Sequence, residues 1–186
     1  QISLSNDTTI NIDLQYSQTL FSESFNSLDN WENISGNWDV NNGNLISQTD
    51  LVYADSSNQF LVTNDVFNIP LNTPLALNIT WEYELEWDVD TILFSLITVD
   101  DTINIYRSGH YWEMHNETIS LPLVNSESFK LGIGLVSDET VNYRGIQIDE
   151  LRILANIDSS LSNKTSIIPQ EFYILEPYPN PFNPSI

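Results

Sequence analysis

The chain has 186 residues, with 26 Asp and Glu against 5 Lys and Arg, for a formal charge of −21. Self-repulsion of that size excludes nucleic acid and anionic membrane as natural partners, while 41% apolar and 11% aromatic residues suffice for a packed core. The lack of Cys excludes disulfides, thiolate metal sites and cysteine nucleophiles, and no apolar run approaches the roughly 20 residues of a membrane-spanning helix.

The first ten residues, QISLSNDTTI, lack a basic region and an apolar signal core, so the sequence is expected to be either processed or a piece of a longer protein. Ile10, Ile12, Leu14 and Tyr16 alternate with polar residues. Residues 1–19 are therefore read as the terminal strand of a preceding β domain, or as a strand free to pair elsewhere. The main domain is expected over 20–154, opening at Phe21. Short β-like pieces follow, separated by Asn-rich turns, with clear strands at Phe60 to Phe67 and Leu75 to Trp87. Alternation places Trp81, Tyr83, Leu85 and Trp87 on the interior face, and Glu82, Glu84 and Glu86 on the other. Ile92 to Val99 is a continuous apolar run, consistent with a strand buried on both sides. Asp100-Asp101 is the turn into Ile103 to Arg107. His110 to Leu121 reads as a strand pair or a strand with a loop.

The last strand of the domain changes phase. Ile146 and Ile148 alternate on one parity, Asp149 and Glu150 interrupt, and Leu151 and Ile153 resume on the other. A one-residue slip in a period-2 pattern predicts a β-bulge at the two carboxylates. Short strands, frequent turn residues and no helical periodicity imply an all-β sandwich. Residues 155–171 then fade into Ser and Asn and read as a linker.

Two stretches carry resemblances. In residues 172–186, Pro177, Tyr178, Pro179, Asn180, Pro181, Phe182, Asn183 and Pro184 spell PYPNPFNP. This resembles the opening of the type A C-terminal sorting domain of the type IX secretion system, which implies export to the outer surface or beyond, with the secretion machinery as a partner. Four prolines also favour an extended, stiff tail. Over Leu20 to Leu154, Ser24-Phe25-Asn26, Gly36-Asn37-Trp38 and Asp149-Glu150 resemble the jelly-roll modules of secreted bacterial hydrolases. Immune inhibitor A-type metallopeptidases and secreted zinc carboxypeptidases carry such modules, which are similar to MAM domains and to some carbohydrate-binding modules. The resemblance implies a jelly-roll β-sandwich with an extra N-terminal strand and a Pro-rich tail. It also implies a structural calcium tying first strand to last, with Asn26, Asp55 and Asp149 as oxygen donors and Glu23 and Glu150 in reserve.

Catalytic signals are weak. His110 and His115 sit in GHYWEMH, one residue off the H-x-x-E-H of inverted zincins; its H-x-x-E resembles the zinc carboxypeptidase motif but lacks that family's further downstream His, and on one strand the two imidazoles face opposite ways. No nucleophile elbow, phosphate loop or dinucleotide fingerprint occurs. Trp31 and Trp38 fall at expected core positions. Trp112, with Tyr106 and Tyr111, is the candidate exposed platform for a sugar, with core packing as the competing role. The expected protein is thus a non-catalytic accessory module of a secreted or surface hydrolase, serving adhesion, substrate positioning or domain packing within a longer parent chain. Two alternatives stand beside it. One is a subunit of an extracellular assembly, homo-oligomeric through strand pairing. The other is a carbohydrate-binding module, with a polysaccharide or protein polymer as partner.

Overall fold

The computed structural model describes residues 18–48 and 51–156. The strand read within residues 1–17, the linker beyond Asn156 and the whole sorting motif, Pro177 to Pro184, lie outside them.

In chain order the strands are β1 (Gln18–Glu23), β2 (Trp31–Ser35), β3 (Asp39–Asn41), β4 (Asn44–Ile46), β5 (Asn58–Thr63) and β6 (Phe67–Asn68). They continue as β7 (Leu75–Glu84), β8 (Thr91–Ile97), β9 (Thr102–Arg107), β10 (His110–Leu121), β11 (Ser128–Val136) and β12 (Gly145–Ala155). Among the described residues there is no helix. Two antiparallel sheets form. The first runs β10-β7-β12-β4-β3, with β1 on the far half of β12; the second runs β2-β5-β11-β8-β9, with β6 on β11. This is a jelly-roll-like β-sandwich. Its strands begin two residues before the expected boundary, at Gln18, and end at Ala155, which pairs with Gln18.

Alternation explains which faces meet. Leu75, Leu77, Ile79 and Trp81 of β7 turn inward and are buried, as do Leu131, Ile133 and Leu135 of β11. Trp81 crosses the interior to meet Phe94 of β8 edge-on at 5.5 Å. Trp31 and Trp38 are buried, as expected. Phe25 stacks on Trp31, and Phe21 contacts both Trp31 and Phe67. Removing each of these large apolar groups from water contributes about 1.5–3 kcal/mol, as it does for each buried Leu and Ile of the same core.

The phase slip in β12 falls where the sequence placed it. Ile148 pairs with Trp81 and Glu150 with Thr80, leaving Asp149 as the extra residue of a bulge. Ile146 and Ile148 therefore reach the same interior as Leu151 and Ile153.

Three readings differ. His110 to Leu121 is one strand, irregular near its start, rather than a pair. The apolar run 92–99 becomes β8 only to Ile97; Val99 lies in the following turn and is exposed. Trp87 is not interior: β7 ends at Glu84, and the chain turns before alternation reaches it. Asp88 in that turn has φ of 60°, a left-handed conformation that tolerates Asp.

Candidate functional site

The outer face of the first sheet carries the chemistry. Ile146, Tyr83 and Tyr111 form one row across β12, β7 and β10, and Ile146 is fully buried, so this row faces inward. The preceding row, Gly145, Glu84 and His110, faces outward. The next outward row holds Gln147 and Glu82. Here β10 is irregular. Tyr111 pairs with Tyr83 but His115 pairs with Trp81, so Trp112, Glu113 and Met114 together span the one residue Glu82. The surplus backbone bows away from the sheet and carries Trp112 out with it.

His110 and Trp112 share parity, and their rings meet edge to face at 5.0 Å. Trp87 joins from the β7–β8 turn, edge to face on His110 at 5.5 Å. Both indoles are held in water, Trp87 at 62% and Trp112 at 59% exposure. The turn beneath Trp87 is tied down. Leu85 N donates to Gly109 O at 3.0 Å, Asp88 N to Ser108 Oγ at 3.0 Å, and Ser108 Oγ to Glu86 O at 3.4 Å. Three exposed aromatic rings on a braced turn and a bulge form a relief that apolar burial does not require.

Polar groups continue this face. Arg144 Nε donates to Glu84 Oε2 at 2.6 Å, and that bond raises the guanidinium pKa above its ordinary value. The pair lines a hollow of about 60 Å³ with Glu82, Gln147, Gln48 and Tyr111. Tyr111 also borders the recess beside His110 and Trp112, so the hollow and the aromatic array adjoin. Further along, Asn78 Nδ2 donates to Asn116 Oδ1 at 2.9 Å, and Asn116 Nδ2 to Thr80 Oγ1 at 3.0 Å. Carboxylates, amides and a guanidinium beside aromatic faces suit a ligand with dense hydroxyls and apolar C–H surfaces.

The platform residues named from sequence are all exposed, but they do not converge. Tyr106 alternates on β9 with the inward Ile105 and Arg107, and faces out from the second sheet. Tyr111 stacks on His115 at 3.8 Å. Trp112 is the member that joins the array, through partners that sequence reading missed. Trp87 was assigned to the core, and His110 was weighed only as a metal ligand or base. The Gly at 109 was the available signal, since a glycine beside an aromatic run marks close approach. The two imidazoles face opposite sides of the sheet. His115 sits on the inward row, its Nδ1 3.1 Å from Glu113 O and its Nε2 3.8 Å from Glu117 Oε2.

The oxygen donors named for calcium hold separate contacts. Asn26 Nδ2 donates to Ser24 Oγ at 3.0 Å, leaving its carbonyl oxygen free, and Asp149 is exposed at the bulge. Asn26 follows the end of β1 at Glu23, which pairs with Leu151, while Asp149 is the bulged residue in the middle of β12. Asp55 does not fit with them; it accepts a hydrogen bond from Asn142 in another loop. The reserve acids are engaged. Glu23 accepts from Phe25 N and Asn30 Nδ2, and Glu150 pairs with Arg152. The acids that do gather are Glu86, Asp90 and Asp138, with oxygens within 4.8 Å of one another. They are bound internally, Asp90 to Tyr53 OH and Asp138 N, and both Glu86 and Asp138 to Thr140. Two loops supply them, β7–β8 for Glu86 and Asp90 and β11–β12 for Asp138, so no local pattern announces the full set.

No protein-family model and no curated protein matches the chain. Solved structures do. A family 29 carbohydrate-binding module is similar at 12% identity and a TM-score of 0.47, covering 75% of this chain and 90% of its own. Modules of an endo-1,4-beta-D-xylanase 10B of Clostridium thermocellum, complexed with xylohexaose, match at 11% identity and a TM-score of 0.47, over 76% of this chain and 29% of theirs. A carbohydrate-binding module of Cellvibrio mixtus lichenase 5A, in complex with cellotriose, matches at 12% identity and a TM-score of 0.38, over 74% and 98%.

Proposed function

We propose that the domain is a non-catalytic carbohydrate-binding module of an exported protein, and that it holds a polysaccharide on the outer face of its first sheet. The observation that carries this reading is the array Trp87, His110 and Trp112, exposed, mutually in contact and braced from below. An indole face is electron-rich and flat. It packs against the C–H side of a pyranose, whose hydroxyls then reach Glu82, Gln147 and the Arg144–Glu84 pair. The two imidazoles face opposite sides of the sheet and so do not act jointly as ligands or as an acid–base pair, which supports a binding role over a catalytic one.

Two finer parts of the proposal rest on sequence resemblance. Export by type IX secretion follows from Pro177 to Pro184, and attachment to a hydrolase follows from the module resemblance. In that arrangement the domain would keep a neighbouring enzyme on its polymer. A calcium ion at Asn26 and Asp149 belongs to the same proposal. It would cross-link β1 and β12 through oxygen ligands.

Affinity electrophoresis through gels containing soluble polysaccharides tests the central claim. Retardation by at least one polymer, lost in Trp87→Ala and Trp112→Ala, is the expected result. Unretarded migration across uncharged, amine-bearing and acidic polymers overturns it.

A further inference from the structure

We infer that the aromatic face selects a polysaccharide bearing amino groups, of the glucosamine-polymer type, and rejects polymers carrying carboxylates or sulfates. The inference rests on the carbohydrate-binding reading and adds the charge class of the ligand.

Glu113 borders the same recess as His110 and Trp112, Glu82 stands opposite the bulge that carries Trp112, and Asp88 follows Trp87 in the braced turn. None of these three carboxylates forms an ion pair among the described residues. Among the described residues, the cations are already paired with other acids or lie on the other sheet. Arg144 is bound to Glu84, Arg107 to Glu117 and Arg152 to Glu150, while Lys130 sits on β11 of the other sheet. A uronate or sulfate brought to this face meets carboxylates and, among the described residues, no unpaired Arg or Lys, on a chain already at −21.

An ammonium group meets the reverse. The π-face of Trp is the strongest of the aromatic partners for a cation, and it is presented here in two exposed copies. Carboxylates beside the rings add attraction on the same side of the cation. A pyranose with a protonated amine satisfies both, its ring stacking on indole and its nitrogen lying toward Asp88 or Glu113. A neutral sugar gains only the stacking and the hydroxyl hydrogen bonds.

The experiment compares three soluble polymers at about pH 6, where carboxylates are ionised: a deacetylated glucosamine polymer, a neutral cellulose ether and polygalacturonate. A lysine polymer serves as a control for charge alone. Binding is measured on the full chain by calorimetry at low and at physiological salt. The glucosamine polymer is expected to bind about tenfold more tightly than the neutral one, as a cation–π contact beside carboxylates implies, and polygalacturonate not at all. Trp112→Ala should remove binding of both, whereas the pair Asp88→Asn and Glu113→Gln should remove only the preference.

Equal affinity for the neutral and glucosamine polymers, both lost in Trp112→Ala, overturns this inference and leaves the binding module standing. Binding of the lysine polymer as tight as that of the glucosamine polymer, unchanged in Trp112→Ala, shows diffuse attraction to an acidic surface and also overturns it. No binding to any of the sugar polymers overturns the parent reading as well.

Discussion

The indole of Trp87 fills the space above Gly109: a Cβ built on that glycine falls 2.8 Å from two carbons of the Trp87 ring. Gly109 also has a φ of 93°, where side chains are strained. Gly109→Ala is therefore expected to cost about 1–3 kcal/mol in backbone strain and to push Trp87 off His110. Denaturant unfolding gives the first effect. A shift in indole emission, together with loss of polysaccharide retention, gives the second. Unaltered retention would mean that Trp87 does not touch the ligand.

Trp112 and Trp81 lie close in space yet should respond oppositely. Trp112 stands in water, so Trp112→Ala is expected to change stability by no more than about 0.5 kcal/mol while reducing ligand affinity at least about tenfold. Trp81 is fully buried, and Trp81→Ala should cost about 3–5 kcal/mol. The Trp81 indole N–H has no acceptor, however. Trp81→Phe removes that unsatisfied donor along with part of the ring, and should cost well under half as much as the alanine. Equilibrium unfolding of the three variants checks the order.

These two tryptophans also show what a sequence reveals. The β-sandwich was legible because period-2 alternation is a property of the strand itself, and even the bulge at Asp149 appeared as a change of parity between Ile148 and Leu151. The binding face was half legible. Trp112 announced itself within an exposed, mixed strand, but Trp87 was carried into the core by extending the alternation of β7 past Glu84. Where a strand ends depends on tertiary hydrogen bonds, here from Leu85 N to Gly109 O, and these join residues far apart in sequence. Tyr106 was grouped with Trp112 by nearness in the chain, yet it lies on the other sheet. The cluster of Glu86 and Asp90 with Asp138 gave no signal, because their two loops meet only after both sheets have stacked.

The calcium proposal has a direct readout. Asn26 follows the end of β1 and Asp149 is the bulged residue of its partner β12, and neither side-chain oxygen accepts a hydrogen bond among the described residues. An ion bound there stabilises the folded chain by mass action. The melting temperature is expected to rise with millimolar calcium and fall back with chelator, and Asp149→Ala should abolish the shift. Coincident melts with and without the ion would dispose of the site. Asp55→Asn should leave the shift intact, since Asp55 is engaged by Asn142 instead.

Tyr53 and Asp90 make the most buried polar contact of the acid cluster, with Tyr53 OH donating to Asp90 Oδ2. Asp90 is inaccessible to water and accepts on its other oxygen from Asp138 N at 3.1 Å. Tyr53→Phe leaves Asp90 Oδ2 without its donor and should cost about 1–3 kcal/mol. The same contact sets a pH dependence. Burial, followed by the hydrogen bond to Asp90, pushes the Tyr53 phenol above its ordinary value. Burial also raises Tyr83, with the charge of Glu117 adding to it. A raised pKa means that the folded chain holds these protons more tightly than the unfolded one. Their contribution is therefore complete below the ordinary tyrosine value of about 10, and it is lost as pH climbs beyond that toward the folded-state values. Stability measured by urea unfolding should be flat with respect to these groups up to about pH 9 and fall above it, in step with a delayed phenolate absorbance. In Tyr53→Phe the alkaline fall should be shallower, with only Tyr83 left to drive it. An equally steep fall in the variant would assign the alkaline loss to other groups.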